Sequence, residues 1–305
     1  MRDFYYPSCG KGTIHGCRWE PEGKIRGIVQ IVHGIAEYAQ RYEHFAKYLN
    51  SHGYLVVAED HMGHGRSGGE GCVQGYFHGG WFSAVADSAQ LMKNIQEEFP
   101  DVPYYIFGHS MGSFMTRTIL IRYPESRING AIICGTGWMP SAVLKAGLAF
   151  AKLSCRSGKD MNPNTALHNL MFGAYNKRIE HPRSPFDWLN RDKNQVDAYV
   201  NDPLCGFPET AGLAKDMLEG IIYIQNKKNL MQMNPSVPVY FIAGGDDPVG
   251  DYGAGVRKAA EQFRKCGIKS VACRIYPLCR HEILNEINRE EIYHGVSDWL
   301  ESIAP

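Results

Sequence analysis

The stretch "YYIFGHSMGSF", residues 104–114, decides how the chain folds, because a buried strand, a serine flanked by glycines and a helix follow one another there. The apolar run before the serine predicts a strand, and apolar residues at helical spacing predict a helix over 111–123. Gly108 and Gly112 leave room for a strained, tight backbone turn at Ser110. Such a turn projects the hydroxyl out of the sheet and makes Ser110 a candidate nucleophile. A serine that only caps the following helix is the alternative interpretation.

On both sides of this stretch, short β-branched runs alternate with segments of helical periodicity. This alternation predicts an α/β fold with a mostly parallel sheet covered by helices on both faces. Strands are predicted at 27–34, 54–60, 102–109, 130–136, 237–245 and 270–278, and helices at 42–53, 81–98, 111–123, 253–266 and 283–302. The N-terminal part, including "TIHGCRW" at 13–19, is expected to supply antiparallel strands at the edge of the sheet.

The alternation stops between residues 138 and 229, in a segment rich in Leu, Met, Asn and Pro without a clear strand pattern. We interpret residues 138–229 as a helical cap inserted into a core formed by residues 1–137 and 230–305. In open parallel sheets, ligands bind beyond the carboxyl ends of the strands. The cap is therefore expected to lie over that end of the sheet.

Two other strand ends carry the groups that a nucleophilic serine needs, namely a base and an acid that orients the base. The segments "DDPVGD" and "CRHEILNE" each follow a predicted strand directly. With His281 as the base, the chain order is serine, aspartate, histidine, as in the α/β-hydrolase arrangement. His33, at the end of another predicted strand, is the rival base. The residues alone do not choose between Asp246 and Asp247 as the acid.

A reaction at Ser110 also needs amide donors for the negative charge that develops on the substrate oxygen. One donor is the N–H of Met111, directly after the candidate nucleophile. The second is expected from the loop "HGIAEYAQRY", where Gly34 permits close approach of the backbone. The amide of Ile35 is therefore the second candidate. A plain connection between a strand and a helix is the alternative for this loop.

The composition argues against several other classes of protein. The 305 residues include 32 basic and 32 acidic ones, so no long-range field recruits nucleic acid or an anionic membrane. No apolar run predicts a membrane-spanning helix, and "MRDFYYPSCGKG" lacks the apolar stretch of a signal peptide. Nine cysteines without a C-x-x-C pair favour reduced thiols and a cytoplasmic protein. No sequence motif for a metal is present, and no cofactor is expected.

The motifs together resemble the monoacylglycerol lipase and lysophospholipase family of serine α/β hydrolases, in its bacterial form. The resemblance covers nearly the whole chain and rests on "HGIAEYAQRY" (33–42), "EDHMGHGRSGGE" (59–70), "GHSMGS" (108–113), "NQVDAYVNDPL" (194–204) and "GGDDPV" (244–249). It implies an α/β-hydrolase fold with a cap. It also implies that the triad acid is Asp247 and that the oxyanion amides belong to Ile35 and Met111.

The resemblance further implies a substrate class: esters of one long acyl chain and a small polar head group, cleaved through an acyl-enzyme without metal or cofactor. The expected partner is an acyl-ester lipid, with transient contact between the cap and a membrane surface. Alternatives that keep the triad are a peptidase similar to proline iminopeptidase and an acyltransferase; a binding protein without activity is a third. A peptidase needs an acidic cap residue for the substrate amine, with Glu180, Asp187, Asp192 and Asp202 as candidates.

Substrate contacts are expected from both the core and the cap. The candidates are His33, Gly34 and His109 near the nucleophile, Phe172 and Trp188 in the cap, and Phe186 and Phe207 as further aromatic side chains. The segment "MPSAVLKAGLAFAKLSC" (139–155) predicts a helix that either packs in the core or lines an acyl tunnel.

The chain departs from many relatives just before His281, where Leu278-Cys279 replaces Gly-Ala. Leucine adopts a left-handed backbone less cheaply than glycine. The loop that carries His281 is therefore expected to be set differently, with the Cys279 thiol near the site.

Overall fold

One eight-stranded sheet organises the chain; the structure, a computed structural model, describes residues 1–304 apart from the side chain of Ser157. The strands are β1 (Arg2–Pro7), β2 (Thr13–Trp19), β3 (Gly27–Val32), β4 (Tyr54–Glu59), β5 (Tyr104–His109), β6 (Gly130–Cys134), β7 (Val239–Gly244) and β8 (Val271–Tyr276). Their order across the sheet is β1-β2-β4-β3-β5-β6-β7-β8. β1 and β2 are antiparallel and β3 to β8 are parallel, so the predicted sheet with antiparallel N-terminal edge strands is confirmed.

The inner strands form where β-branched and aromatic runs are buried on both faces. Every residue of β3, β4, β5, β6 and β7 is buried, as expected for parallel strands between two helical layers. β1, at the edge, leaves most of its residues exposed. Because the parallel strands point the same way, the segments that follow β3, β5, β7 and β8 meet at one end of the sheet.

Helices cover both faces of the sheet, as predicted. They are α1 (Glu43–Ser51), α2 (Trp81–Glu98), α3 (Met111–Arg122), α4 (Ser141–Ser154), α5 (Thr165–Phe172), α6 (Lys193–Asn201), α7 (Ala211–Gln225), α8 (Lys227–Leu230), α9 (Ala254–Lys265) and α10 (Arg289–Ser302). Apolar residues of α2, α3, α7 and α9 join one core, and those of α1 and α10 join the other. None of the helices within residues 1–304 is both long and apolar enough to cross a membrane.

The last predicted helix begins later than expected. It was predicted over 283–302 but starts at Arg289, after a single 3₁₀ turn at Ile283–Asn285. The cause is the buried carboxylate of Glu286, which accepts hydrogen bonds from the Arg280 N–H (2.9 Å) and the Arg191 guanidinium (2.9 Å). These bonds hold the preceding residues in a loop.

The segment between β6 and β7 contains helices α4 to α8, and it is connected at both ends to neighbouring strands of the sheet. The predicted helix at 139–155 is present as α4, but only two of its fourteen residues are buried. α7, in contrast, buries ten of its fifteen residues and shares an apolar cluster with α2 and α3. The division into a core and a cap at 138–229 stays a prediction. Although α7 belongs to the predicted cap, it packs against α2 and α3 of the predicted core.

Candidate active site

Ser110 occupies the turn between β5 and α3, in the strained backbone that the sequence predicts, with φ 53° and ψ −121°. Packing requires the flanking glycines. A Cβ at Gly108 would overlap the backbone of Gly112, and a Cβ at Gly112 would overlap the Val32 carbonyl. The Ser110 N–H donates to the Cys134 carbonyl at 3.0 Å, which ties the turn to β6.

The side chain of Ser110 does not cap α3, which removes the alternative interpretation of this residue. Its hydroxyl makes no capping hydrogen bond to the helix. Instead, the Ser110 carbonyl accepts hydrogen bonds from the N–H (2.9 Å) and the hydroxyl (2.5 Å) of Ser113. Ser110 lines a cavity together with His281, so the two side chains border the same space.

His281 follows β8 and Asp247 follows β7, and their side chains meet. His281 Nδ1 lies 2.9 Å from Asp247 Oδ2, and both residues are buried. Asp247 Oδ1 accepts the Val249 N–H at 2.9 Å, which fixes the carboxylate. Asp246, the other aspartate that the residues left open, is exposed. A carboxylate bound to Nδ1 holds the imidazole with Nε2 free to accept a proton.

The position of His33 supports neither the role of the rival base nor the predicted substrate contact. It is fully buried and lines neither cavity at Ser110. Its Nδ1–H donates to the Gly34 carbonyl (2.7 Å), and its Nε2 accepts the His61 N–H (2.9 Å). Burial and the neighbouring His64 lower the pKa of His33 to about 3. Both ring nitrogens are therefore engaged by backbone, and the imidazole stays neutral.

The amide of Ile35 lies in a closely fitted loop after β3. The Gly34 N–H donates to Glu37 Oε1 at 2.6 Å, and a Cβ at Gly34 would come within 3.0 Å of the Ser110 Cβ. Gly34 therefore allows the loop to approach the serine, as predicted. Ile35, Met111 and Ser110 all line the larger of two cavities at this site.

The segment between β6 and β7 contacts both loops that carry the site. Ala36, in left-handed backbone with φ 52°, accepts hydrogen bonds on its carbonyl from the Tyr199 hydroxyl (3.0 Å) and the Gly206 N–H (2.9 Å). In the loop after β8, the Glu282 N–H donates to the Leu189 carbonyl at 2.8 Å. Residues of the predicted cap thus hold the backbone on both sides of Ser110.

A buried ionic network, which the sequence analysis missed, joins the loops after β3 and β8. Arg41 Nη1 lies 2.7 Å from both Glu37 Oε2 and Glu282 Oε1. His109 Nδ1 lies 3.3 Å from Glu37 Oε1, and its Nε2 lies 3.3 Å from the His281 carbonyl. The signal in the sequence was the i,i+4 spacing of Glu37 and Arg41.

This network sets the charge of its members. Burial would raise the pKa of Glu37, but the hydrogen bond with His109 and the charge of Arg41 hold it well below its usual range. Burial would lower the pKa of His109, but its hydrogen bond with Glu37 and the charge of that carboxylate raise it. His109 is therefore a donor to Glu37, and its ring lies beside His281 with 4.8 Å between centroids.

The departure at Leu278 and Cys279 leaves His281 in contact with Asp247. Leu278 itself adopts left-handed backbone, with φ 63° and an exposed side chain. The expectation of a Cys279 thiol near the site is wrong. Cys279 is buried, its Sγ lies 3.2 Å from Asn288 Oδ1, and it lines neither cavity at Ser110. Leu278 therefore adopts the strained backbone conformation itself, and the Cys279 thiol is directed towards Asn288.

Two cavities meet at Ser110, one of about 160 Å³ and one of about 1030 Å³. Of the predicted substrate contacts, Gly34, His109, Phe186 and Phe207 line the smaller cavity, and Phe172 and Trp188 line both. The larger cavity is walled mostly by apolar side chains, and nearly half of its lining residues come from α4, α5 and α7. The smaller one also contains His168 and Glu209.

One cluster in the described chain has the chemistry of metal ligands, and it lies away from Ser110. Ligand atoms of Asp3, His15 and Cys17, on β1 and β2, lie within 4.8 Å of one another. His15 contacts Asp60 at 2.8 Å, and Asp3 accepts a hydrogen bond from Arg66 at 2.9 Å. β4 and β3 separate these strands from β5, so the cluster takes no part in chemistry at the serine.

Comparison with known proteins identifies the family. A family model described as serine aminopeptidase, S33, matches residues 23–288. The chain belongs to this family. The monoacylglycerol lipase of Mycolicibacterium smegmatis is 27% identical over 293 residues, covering 93% of the chain and 91% of that lipase.

Two further relatives are similar to the chain. The monoglyceride lipase of Mus musculus is 31% identical over 189 residues, 62% of the chain; the match spans only about half of the lipase, 55% of its length. The solved structure of a carboxyl esterase from Bacillus coagulans in complex with glycerol has a TM-score of 0.90 and 31% identity, covering 100% of this chain and 99% of that one. The resemblance to the monoacylglycerol lipase family and the α/β-hydrolase fold are confirmed, and the predicted class of carboxylic ester hydrolase agrees with these relatives.

Proposed function

We propose that the chain is a serine carboxylester hydrolase that cleaves lipid esters with a single acyl chain, of the monoacylglycerol or lysophospholipid type. One observation carries this proposal: Ser110 lies where a large apolar cavity meets a smaller one whose lining includes polar side chains such as His168, Asn176 and Glu209. An acyl chain suits the first cavity and an alcohol head group the second. The scissile carbonyl then lies at the serine hydroxyl.

In the proposed mechanism, Ser110 Oγ attacks the ester carbonyl while His281 Nε2 takes its proton. Asp247, 2.9 Å from Nδ1, orients the imidazole and stabilises the imidazolium that forms. His281 then gives the proton to the departing alcohol, which leaves an acyl-enzyme on Ser110. Water activated by the same histidine releases the fatty acid.

The amides of Ile35 and Met111 are the proposed donors to the oxyanion of both tetrahedral intermediates. Each such donor is typically worth about 3 kcal/mol of transition-state stabilisation. The hydrogen bonds from Gly34 to Glu37 and from Tyr199 to the Ala36 carbonyl support this role, because they fix the backbone on either side of Ile35. A donor that is already positioned needs no reorganisation during the reaction.

Residues 138–229 are proposed to act as the cap that selects the acyl chain. Support comes from α4, where the exposed Val143 and Phe150 also line the larger cavity. Together with the exposed Leu153 and Leu170, these side chains offer an apolar surface for transient contact with a lipid aggregate. Such contact would deliver the substrate directly to the cavity.

A peptidase or an acyltransferase with the same triad is the second candidate function, and the family description favours the peptidase. The four acidic cap residues predicted to hold a substrate amine are Glu180, Asp187, Asp192 and Asp202, and none of them lines either cavity at Ser110. Glu209, another acidic residue of this segment, does line the smaller cavity, but a short peptide would leave the large apolar cavity empty. Ester hydrolysis therefore explains more of the site.

The test is hydrolysis of p-nitrophenyl acyl esters, from acetate to palmitate. We expect the wild type to prefer medium or long chains and Ser110→Ala to lose roughly 10⁴-fold or more in kcat. Ser302→Ala, at an exposed serine of the last helix, is the matched control and should keep full activity. Retained activity in Ser110→Ala, or a wild type inert to every ester, would overturn the proposal.

A further inference from the structure

The carboxylate of Glu209 lies in the smaller cavity and has no part in the mechanism above. Its side chain is 2% exposed and borders the same space as Ser110 and His281. Oε2 lies 2.9 Å from His168 Nδ1. Oε1 is buried without a hydrogen-bond partner, and it is the one carboxylate oxygen in that state among residues 1–304. Such an atom costs free energy, and a ligand that donates a hydrogen bond to it offsets the cost.

The position of Glu209 is fixed from two sides. The next residue, Thr210, donates to the Gly75 carbonyl from its hydroxyl (2.6 Å) and its N–H (3.1 Å). The same Thr210 hydroxyl accepts the Leu213 N–H at 3.2 Å and caps α7. His168 comes from α5 and approaches from the other side. The carboxylate is therefore held in place before any ligand arrives, as specific recognition requires.

The charge of the smaller cavity disfavours an anionic head group. Its described lining contains three carboxylates, Glu37, Glu209 and Glu282, and no Lys or Arg. Glu37 and Glu282 share one cation, Arg41, and Glu37 also contacts His109. The hydrogen bond with Glu209 raises the pKa of His168. This shift favours the protonated imidazole, whose positive charge offsets the negative charge of Glu209. A hydroxyl can bind here, whereas a phosphate would face the carboxylate of Glu209 without a paired lysine or arginine.

We propose that Glu209, held by His168, forms a head-group subsite that accepts a hydrogen bond from a hydroxyl of the ester's alcohol and rejects phosphate-bearing head groups. The inference rests on the function proposed above. It decides between the two head groups left open there, in favour of an uncharged polyol such as that of a monoacylglycerol. Glu209 is a specificity-determining residue in this scheme and does not touch the reacting carbonyl.

The experiment compares kcat/KM for three esters of one acyl chain: 1-monoacylglycerol, the corresponding lysophosphatidate and the methyl ester. We expect the wild type to favour monoacylglycerol over the methyl ester by roughly tenfold to a hundredfold, the range for a hydrogen bond to a charged acceptor. Lysophosphatidate is expected to be the poorest substrate. Glu209→Gln should lower the ratio of monoacylglycerol to methyl ester about tenfold and improve lysophosphatidate relative to both.

Glu180→Gln is the matched control, because it removes an exposed carboxylate of the same segment that lines neither cavity. Its ratios should equal those of the wild type. Ratios measured on one preparation do not depend on the folded fraction, and Glu209→Met, with a side chain of similar length, serves as a second variant if Glu209→Gln folds poorly.

The outcomes separate the two proposals. Unchanged ratios in Glu209→Gln, together with methyl ester hydrolysis that Ser110→Ala abolishes, would overturn the subsite and keep the function. A wild type that prefers lysophosphatidate would also overturn the subsite. A wild type that cleaves none of the three esters would remove the proposed function and the subsite with it.

Discussion

Leu278 adopts left-handed backbone three residues before His281, with φ 63°. This conformation costs a residue with a side chain roughly 1–2 kcal/mol. Its side chain is 64% exposed, so packing recovers little of that cost. The chain tolerates the strain because the neighbouring Cys279 is buried and the Arg280 N–H is bound to Glu286, which together determine the backbone path.

Replacing Leu278 by glycine is therefore expected to stabilise the protein. The relief of strain exceeds the extra entropy that glycine brings to the unfolded chain, roughly 0.5–1 kcal/mol. We expect Leu278→Gly to raise the free energy of unfolding by about 0.5–1 kcal/mol in urea denaturation. Leu278→Ala keeps the left-handed strain and should change little. A glycine variant less stable than the alanine variant would contradict this account.

At the scale of single elements, α4 forms part of the wall of the larger cavity. Gly147 lines that cavity near the middle of the helix, and a Cβ there would meet Leu218 at 3.6 Å, an ordinary contact. A larger side chain at Gly147 can thus enter the cavity without disturbing the backbone. In the proposed function, this position limits the length of the acyl chain.

Gly147→Leu is expected to shift the chain-length profile towards short esters. The added side chain occupies space that the far end of a long chain needs, whereas acetate and butyrate do not reach it. The measurement is kcat/KM along the p-nitrophenyl ester series, and palmitate should lose at least tenfold relative to butyrate, about 1.4 kcal/mol. Ala149→Leu, at an exposed position of α4 that lines neither cavity, should keep the wild-type profile. An equal profile in both variants would exclude α4 as the acyl wall.

At the scale of the whole molecule, three buried imidazoles beside β3 make stability depend on pH. His33 and His61 stack with 3.9 Å between ring centroids, and His64 packs beside them. Burial lowers the pKa of all three, to about 3 for His33 and about 4 for His64. In the unfolded chain, a histidine binds its proton near pH 6.5. Between pH 6.5 and 4 the unfolded state therefore binds more protons, and stability falls as the pH falls.

Glu59 acts in the opposite direction, because burial raises its pKa to about 8. Its contribution is present below the unfolded pKa of about 4.5 and is lost as the pH rises towards 8. Burial also raises the pKa of Asp216, to about 6, and that of Asp87, so these carboxyls oppose the three histidines as well and reduce the net slope below pH 6.5.

We therefore expect the three histidines to lower the melting temperature as the pH falls from 6.5 to 4, against the opposing effect of the buried carboxyls. His64→Gln should reduce the slope of the unfolding free energy by about 1.4 kcal/mol per pH unit, the value for one proton. Thermal and urea denaturation at several pH values provide the measurement. His44→Gln, at an exposed histidine, should leave the slope unchanged. If both variants follow the wild type, the buried cluster is not the source of the acid sensitivity.

The sheet and the helices that cover it were predictable because they depend on local patterns. Buried β-branched runs, glycine stops and the glycine-flanked serine indicate strands, turns and helices without knowledge of distant contacts. The choice between Asp246 and Asp247 was different, because adjacent residues have the same local signal. Only the fold makes one buried beside His281 and leaves the other exposed.

The misassigned and missed residues share a cause. His33 stands at a strand end like a catalytic residue, but the backbone of His61 and Gly34 binds both of its nitrogens. Glu209 lies in an irregular stretch with no periodicity, and its role depends on His168, 41 residues away. Contacts between distant irregular segments leave no pattern in a single sequence.

The meeting of two cavities at Ser110 has a consequence for how this site can diversify. α4 walls one cavity and not the other, and Glu209 lines only the smaller one. Changes in separate places combine nearly additively when they share no partners. In the proposed function, a descendant or an engineered library can therefore alter specificity for the acid half of the ester and for the alcohol half in independent steps, while the serine between the two cavities stays the same.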